Sequence, residues 1–156
     1  MRYGGALHPA RATRRSGIRP FAIKHIDHLV LRVSDLQRSV AFYRDLLGCT
    51  VSRVRDDLGM VHLATGTAMI DLVTLDGPLG RPGGAAPGAQ GRNLHHFCLR
   101  IEPFDEQALT LYLQANGVAV EPAEKRYGAE GEGPSLYCYD PDGNQVELKG
   151  PVQLGL

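Results

Sequence analysis

The sequence is poor in several features that mark specialised classes of protein. It has no tryptophan, and its only cysteines are Cys49, Cys98 and Cys138. Three widely spaced cysteines offer neither a disulfide framework nor a CxxC zinc motif, which favours reduced thiols in a cytoplasm. Lysine plus arginine and aspartate plus glutamate balance at 17 each, so we expect no broad basic surface for nucleic acid. No apolar run approaches the roughly 18 to 20 residues that cross a bilayer, and we therefore expect a cytoplasmic protein without a membrane partner.

The first twenty residues differ in composition from the rest of the chain. They carry five arginines and no acidic residue, with little periodicity and no apolar segment of the secretory type. This composition predicts a flexible basic extension at residues 1–20. The remaining chain, with the bulk composition of a globular protein, predicts one folded domain over residues 21–150.

Two distant segments of the sequence resemble each other. "DHLVLRV" at 27–33 aligns with "HHFCLRI" at 95–101, which places His28 on His96 and Arg32 on Arg100. Each segment has the composition of a strand and precedes a helical stripe that ends at a glycine. The predicted stripes are Leu36, Val40, Tyr43 and Leu47 in the first copy, and Phe104, Ala108, Leu111 and Ala115 in the second.

Each copy also predicts three further strands. The second strands are predicted at 51–55 and 118–122, and each copy ends in a hairpin, with turns at 65–66 and 141–143. The pattern predicts an α+β protein made of two β-α-β-β-β modules, at about 23–76 and 94–150. Between them, residues 77–93 are rich in glycine and proline. They form either a plain linker or a mobile loop beside a site.

Strand alternation places four chemically distinctive residues on the faces that point away from the helices. These residues are His28, Asp71, His96 and Glu147. Two imidazoles with one or two carboxylates form the ligand set of a divalent metal ion, and this set suits Mn, Fe, Co, Ni or Zn. His62 and Cys98 are weaker candidates for the same faces, since single strand histidines and small thiols are ordinary structural residues.

The segments "IDHLVLRVSDLQRSVAFYRDLLG", "LHHFCLRI" and "YCYDPDGNQVEL" resemble the vicinal oxygen chelate superfamily. That superfamily includes glyoxalase I, extradiol dioxygenases, fosfomycin-resistance thiol transferases, methylmalonyl-CoA epimerase and bleomycin-binding proteins. The resemblance implies paired β-α-β-β-β modules that form a curved mixed sheet round a metal cavity, with ligands at His28, His96 and Glu147. Asp71 lies in the strand where glyoxalase I carries a fourth ligand, normally glutamate, and where three-ligand members carry a non-ligand. The resemblance also implies a homodimer in which His28 of one subunit joins His96 and Glu147 of the other.

These observations lead to a divalent-metal-dependent enzyme of the glyoxalase type, either a lyase or an isomerase, as the main hypothesis. The metal would act as a Lewis acid that stabilises an enolate or enediolate, with Asp71 or Glu147 as the base. An extradiol dioxygenase or a thiol transferase is the alternative enzyme, and a drug- or metabolite-binding resistance protein is the non-enzymatic alternative. By position, the residues that would orient a substrate are Arg126, Tyr127, Ser135 and Tyr137. Arg32 and Arg100 either bind an anionic substrate or are solvated or salt-bridged.

Overall fold

The computed structural model describes residues 23–92 and 94–152. The extension predicted at residues 1–20 lies outside these ranges. Within them, no helix is long and apolar enough to span a membrane.

The described residues contain eight strands, which form two four-stranded mixed sheets. The first sheet contains β1 (His28–Val33), β2 (Thr50–Arg55), β3 (Met60–Thr65) and β4 (Ala68–Thr74), in the order β1-β4-β3-β2. The second contains β5 (His96–Arg100), β6 (Glu124–Gly128), β7 (Gly131–Tyr139) and β8 (Gln145–Lys149), in the order β5-β8-β7-β6. In each sheet the first strand of the copy pairs in parallel with the last, and the remaining pairs are antiparallel. The predicted α+β class and the β-α-β-β-β plan are confirmed.

The second strand of the second copy lies later in the chain than predicted. Residues 118–122 form only a single bridge, between Val120 and Cys138, and β6 starts at Glu124. Strand β6 pairs with the first half of β7 through a tight turn in which Gly131 has a φ of +116°, a conformation that favours glycine. The alternating valines that suggested a strand pack instead against the core, at Val118 and Val120. Residues 124–134 are therefore largely a hairpin.

The first helical segment agrees with its predicted stripe. Helix α1 (Leu36–Val40) continues into a π-helical turn over Ala41–Leu46, and Val40 and Tyr43 are buried. Its N-cap is Asp35, whose carboxylate accepts a hydrogen bond from the backbone N–H of Arg38 at 3.0 Å, as a short acidic side chain does at this position.

The second helix buries a different face from the one predicted. Helix α2 (Glu106–Ala115) is capped by Asp105, so Phe104 precedes it and does not set the helical phase. Leu113 is 1% exposed and Leu109 packs against the core, whereas Leu111 is 60% exposed. The predicted stripe through Ala108, Leu111 and Ala115 is wrong because it extended the pattern from a residue outside the helix.

One hydrophobic core joins the two copies. Tyr43 of the first copy is fully buried, and its hydroxyl donates to Oδ2 of Asp140 in the β7–β8 turn at 2.7 Å. Burial, with the Asp140 carboxylate beside it, raises the pKa of Tyr43 well above its ordinary value. The neutral hydroxyl therefore remains a donor at any physiological pH, and the contact fixes the two copies against each other.

Candidate metal centre

The convergent pair His96 and Glu147 lies on neighbouring strands of the second sheet. Nε2 of His96 is 3.2 Å from Oε2 of Glu147, and Glu147 is 5% exposed. The hydroxyl of Ser135, which is fully buried, donates to the other carboxylate oxygen, Oε1, at 2.5 Å. Tyr137 packs edge-on against the His96 ring with centroids 5.7 Å apart. We call His96, Ser135 and Glu147 the C-terminal half-site, in which a buried hydroxyl and an aromatic ring orient an imidazole and a carboxylate.

A second group lies on the corresponding face of the first sheet. Asp71 is 3% exposed, and its Oδ1 lies 2.9 Å from Nδ1 of His62. The two residues are directly paired across β3 and β4, and Val30 of β1 is the next residue in the same row. His28 lies on β1 with its side chain 48% exposed and its Nδ1 2.7 Å from Oδ1 of Asp27. We call His28, His62 and Asp71 the N-terminal half-site.

The hydrogen bond that His28 donates to the Asp27 carboxylate affects how His28 can act. It raises the pKa of His28, and the more distant Asp71 adds to this effect. The contact also engages Nδ1, which leaves Nε2 as the ring nitrogen open to a ligand. Histidines that bind metals commonly have their second nitrogen held by a carboxylate in this way.

Within one chain the two half-sites remain apart. Among residues 23–92 and 94–152, no three His, Cys, Asp or Glu side chains are close enough to hold one ion together. His96 and Glu147 therefore meet each other without meeting His28. Of the four residues predicted from the sequence, His28 and Asp71 lie on the first sheet, and His96 and Glu147 lie on the second. The side chain nearest to the Asp71 carboxylate in the first group is His62.

The residues expected to contact a substrate have three different surroundings. Arg126 lies 6.0 Å from the centre of the Tyr137 ring, and Tyr127 is 83% exposed. Burial raises the pKa of Tyr137, so this phenol stays protonated at neutral pH. Arg100 forms ion pairs with Glu130 at 2.9 Å and Glu102 at 3.3 Å.

Arg32 is committed to the linker between the two copies. Its guanidinium donates to the carbonyl oxygens of Gly80, Gly83, Gly84 and Ala85 at 2.7, 2.9, 2.7 and 3.1 Å, respectively. Arg92 adds bonds to the carbonyls of Gly88 and Gly143. A planar fork with five donors suits this multiple capture of carbonyl groups. The glycine- and proline-rich segment is thus fastened to the end of β1.

Replacing Arg32 with lysine is expected to loosen this part of the linker, because an ammonium group cannot replace the fork geometry. Amides of residues 80–86 should exchange with solvent about tenfold faster, which corresponds to about 1.4 kcal/mol of local stability. Hydrogen exchange with mass spectrometry measures this, with the exposed Arg53→Lys variant as the matched control. Equal exchange of this segment in the wild-type protein and both variants would contradict the clamp.

Three residues on the sheet faces that carry the half-sites were not predicted from the sequence as main site residues. They are His62, Cys98 and Lys149. His62 lies opposite Asp71 because the β3–β4 turn is at residues 66–67, whereas the predicted turn at 65–66 would have placed Met69 opposite His62. Cys98 lies beside Glu147, and burial together with that carboxylate raises the pKa of Cys98 to about 12. Strand alternation places Lys149 on the same face of β8 as Glu147. Its burial, however, depends on the β6–β7 hairpin that covers it, which no local sequence pattern indicates.

Comparison with known proteins identifies related chains. Residues 25–148 match the family model of the Glyoxalase/Bleomycin resistance protein/Dioxygenase superfamily. Virulence protein STM3117 of Salmonella typhimurium is 33% identical over 130 residues, covering 81% of this chain and 83% of the relative. Glutathione transferase FosA of Serratia marcescens is 31% identical over 126 residues, covering 81% of this chain and 80% of the relative.

Solved structures show the same fold. The crystal structure of STM3117 has a TM-score of 0.67 and covers 85% of this chain and 100% of that chain. A mutant of the fosfomycin resistance protein FosX from Listeria monocytogenes, complexed with Mn(II) and a dihydroxypropylphosphonic acid, has a TM-score of 0.62 at 22% identity. It covers 84% of this chain and 93% of that chain.

Proposed function

Because the chain belongs to the Glyoxalase/Bleomycin resistance protein/Dioxygenase superfamily, we propose that it is a divalent-metal-dependent enzyme of the glyoxalase type. Its ligands are His28, His96 and Glu147, and its reaction is that of a lyase or isomerase on a small oxygen-bearing substrate. The observation that carries the proposal is the convergence of His96 and Glu147 at 3.2 Å, with Glu147 held by buried Ser135. The relatives support the coarser conclusion of a superfamily metalloenzyme, since they include the glutathione transferase FosA.

The donor set fits a divalent ion. Imidazole nitrogens and carboxylate oxygens bind Zn and related ions at about 2.0 to 2.2 Å. Two donors that share such an ion at roughly a right angle lie about 3 Å apart, which agrees with the 3.2 Å between His96 and Glu147. Imidazole and carboxylate also suit Mn, Fe, Co and Ni, so the donors do not select one metal.

The third ligand comes from a second copy of the chain in this proposal. His28 belongs to the N-terminal half-site, whereas His96 and Glu147 belong to the C-terminal one. Exposed apolar surface beside them, at Val30 (49% exposed) and Tyr127 (83% exposed), would be covered when two such faces meet. A two-fold dimer would join each half-site to its complement and form two equivalent centres.

When bound, the ion supplies Lewis acidity that stabilises negative charge developing on a substrate oxygen. Asp71, buried and hydrogen-bonded to His62, accepts the proton removed from the substrate carbon, with Glu147 as the other candidate base. Tyr137 and Arg126 orient the substrate from the second sheet. Ser135 contributes through Glu147, and Arg32 contributes through the linker, so neither touches the substrate directly.

A thiol transferase is the second candidate, favoured by the 31% identity to FosA. The same metal ligands would serve it, with the thiol of glutathione as nucleophile. The loop that carries a Lys and Ser pair in such transferases reads "EKRYGAEGEGP" here, and most of it forms the β6–β7 hairpin. Its Lys125, Arg126 and Tyr127 are out of register with that pair, which counts against this candidate.

A substrate panel tests the proposal. Protein loaded separately with Mn, Fe, Co, Ni and Zn would be assayed with a hemithioacetal, an acyl-CoA epimer, a catechol with oxygen, and glutathione with an epoxide. We expect turnover of the hemithioacetal or the acyl-CoA, reduced at least about 100-fold in Asp71→Asn, because a buried base is removed. Turnover only with the catechol or the epoxide would favour the alternative enzymes. Tight metal binding without any turnover would favour a binding protein.

A further inference from the structure

Lys149, the last residue of β8, is a buried positive charge. It is 5% exposed, and its Nζ donates to the carbonyl oxygens of Arg126 at 2.5 Å and Gly133 at 3.3 Å. Among residues 23–92 and 94–152, no carboxylate lies within ion-pair distance of it. Two neutral carbonyls use two of the three N–H donors of the ammonium and leave its charge uncompensated.

This arrangement is costly for the protein on its own. Moving an ammonium out of water costs several kcal/mol unless a counter-charge replaces the solvent. A lysine whose only task was to hold the hairpin could be replaced by a neutral donor without that cost. The burial of a full charge therefore points to a negatively charged partner.

The lysine borders a cavity that is also lined by two of the candidate metal ligands, His96 and Glu147. The cavity has a volume of about 340 Å³ and is lined by His96, Cys98, Arg100, Glu147, Lys149 and the turn at 127–130. Lys149 follows Glu147 by two residues on the same face of β8, so the two Cα atoms lie about 7 Å apart. A small ligand can therefore span the distance from the metal position to the ammonium.

The other cations near this cavity already have partners. Arg100 pairs with Glu130 and Glu102, and Arg126 pairs with Glu124 at 2.6 Å. Glu147 is the carboxylate next along the strand from Lys149, and an ion bound there would neutralise it. In the loaded protein, Lys149 would then be a side-chain cation of this cavity with no carboxylate partner among the described residues.

The β6–β7 hairpin leaves space for the lysine stem. A Cβ atom at Gly128 would lie 2.8 Å from Cε and 3.1 Å from Cδ of Lys149. Glycine at this position lets the hairpin close over the side chain of Lys149, which lines the cavity.

We propose that Lys149 forms an oxyanion-binding subsite, and that the substrate carries a carboxylate, phosphate or phosphonate group in addition to the oxygens that meet the metal. This inference rests on the proposed function, because the metal fixes the other end of the substrate. The subsite explains why a charge is buried on the same strand face as Glu147.

The test compares two ligands that differ by one anionic group. Lactate and malate share an α-hydroxycarboxylate that chelates a metal, and malate adds a second carboxylate. Isothermal titration of the Mn-loaded full-length protein measures the affinity for both. We expect malate to bind about tenfold more tightly than lactate, because a charge-assisted hydrogen bond in a buried site has roughly this effect.

The Lys149→Met variant keeps the aliphatic stem and removes the charge. It should reduce the malate advantage to less than about twofold while leaving lactate affinity unchanged. The exposed Lys125→Met variant on β6 is the matched control and should keep the full advantage. If the variant retains the advantage, or loses lactate and malate affinity equally, the subsite is refuted and Lys149 only supports the hairpin.

Metal content, measured before each titration, distinguishes a failure of the proposed metal centre from a failure of the Lys149 subsite. Protein that retains no ion under loading would refute the proposed function, and with it the subsite that depends on the ion. Ion-loaded wild-type protein that binds lactate and malate equally would refute the subsite alone.

Discussion

We expect the wild-type protein to retain about one divalent ion per chain, and the variant that combines His96→Ala with Glu147→Ala to lose it. Both side chains belong to the same half-site, 3.2 Å apart, and their removal leaves one ligand of the proposed three. We expect the affinity for the metal to fall at least about 100-fold, which exceeds the usual effect of losing an outer hydrogen-bond partner. Mass spectrometry of untagged protein, after dialysis against metal-free buffer, measures the content.

The control for this experiment is a variant that removes the same residue types from exposed positions, His25→Ala with Glu132→Gln. It should keep the ion. Asp71→Asn adds a further distinction, since retention of the ion favours three ligands and loss favours four. No ion in the wild-type protein, even after loading, would overturn the enzyme proposal and leave a cavity-binding protein.

The identity of the retained ion then orders the assays. Nickel, cobalt or zinc would direct attention to hemithioacetals, whereas iron would direct it to catechols.

The second large effect is the expected recovery of metal binding and activity when two variants, each inactive alone, form a heterodimer. His28→Ala removes the ligand of the N-terminal half-site, and Glu147→Gln weakens the C-terminal one, so each homodimer should lack both centres. In a heterodimer of the two variants, one centre carries both substitutions and the other carries neither. Co-expression with two different affinity tags and selection for both should therefore restore about half of the wild-type metal content and activity.

Restoration of this kind requires that the two half-sites come from different chains. If each centre were built within one chain, every centre in the heterodimer would still carry one substitution. No recovery in the purified heterodimer, or a monomer by light scattering with full metal loading, would contradict the shared centre.

The sequence alone determined the duplicated plan and the faces of its principal strands. The repeat of His28 at His96, and strand alternation around Ile70, Asp71 and Leu72, depend on local periodicity that any pairing of these strands preserves. The predicted β3–β4 hairpin is also present, with its turn at residues 66–67, one residue later than predicted. These features are local because one residue's neighbours along a strand determine which face it occupies.

Other features depended on the tertiary structure. Helix α2 buries Leu113 and packs Leu109 against the core, and its phase follows from the Asp105 cap rather than from Phe104. Strand β6 starts at Glu124 because the hairpin with β7 competes for those residues, while the valines before it pack into the core.

The partners of the charged residues were also decided only in the fold. Arg32 and Arg100 have similar sequence surroundings, yet Arg32 binds linker carbonyls and Arg100 binds two glutamates. Asp71 meets His62 across a strand pair, and Lys149 is covered by a distant hairpin. The contacts of Arg32 with the linker, of Arg100 with Glu130 and of Lys149 with the hairpin join residues far apart in the chain. Their physical reason lies in packing, which periodicity along the sequence does not encode.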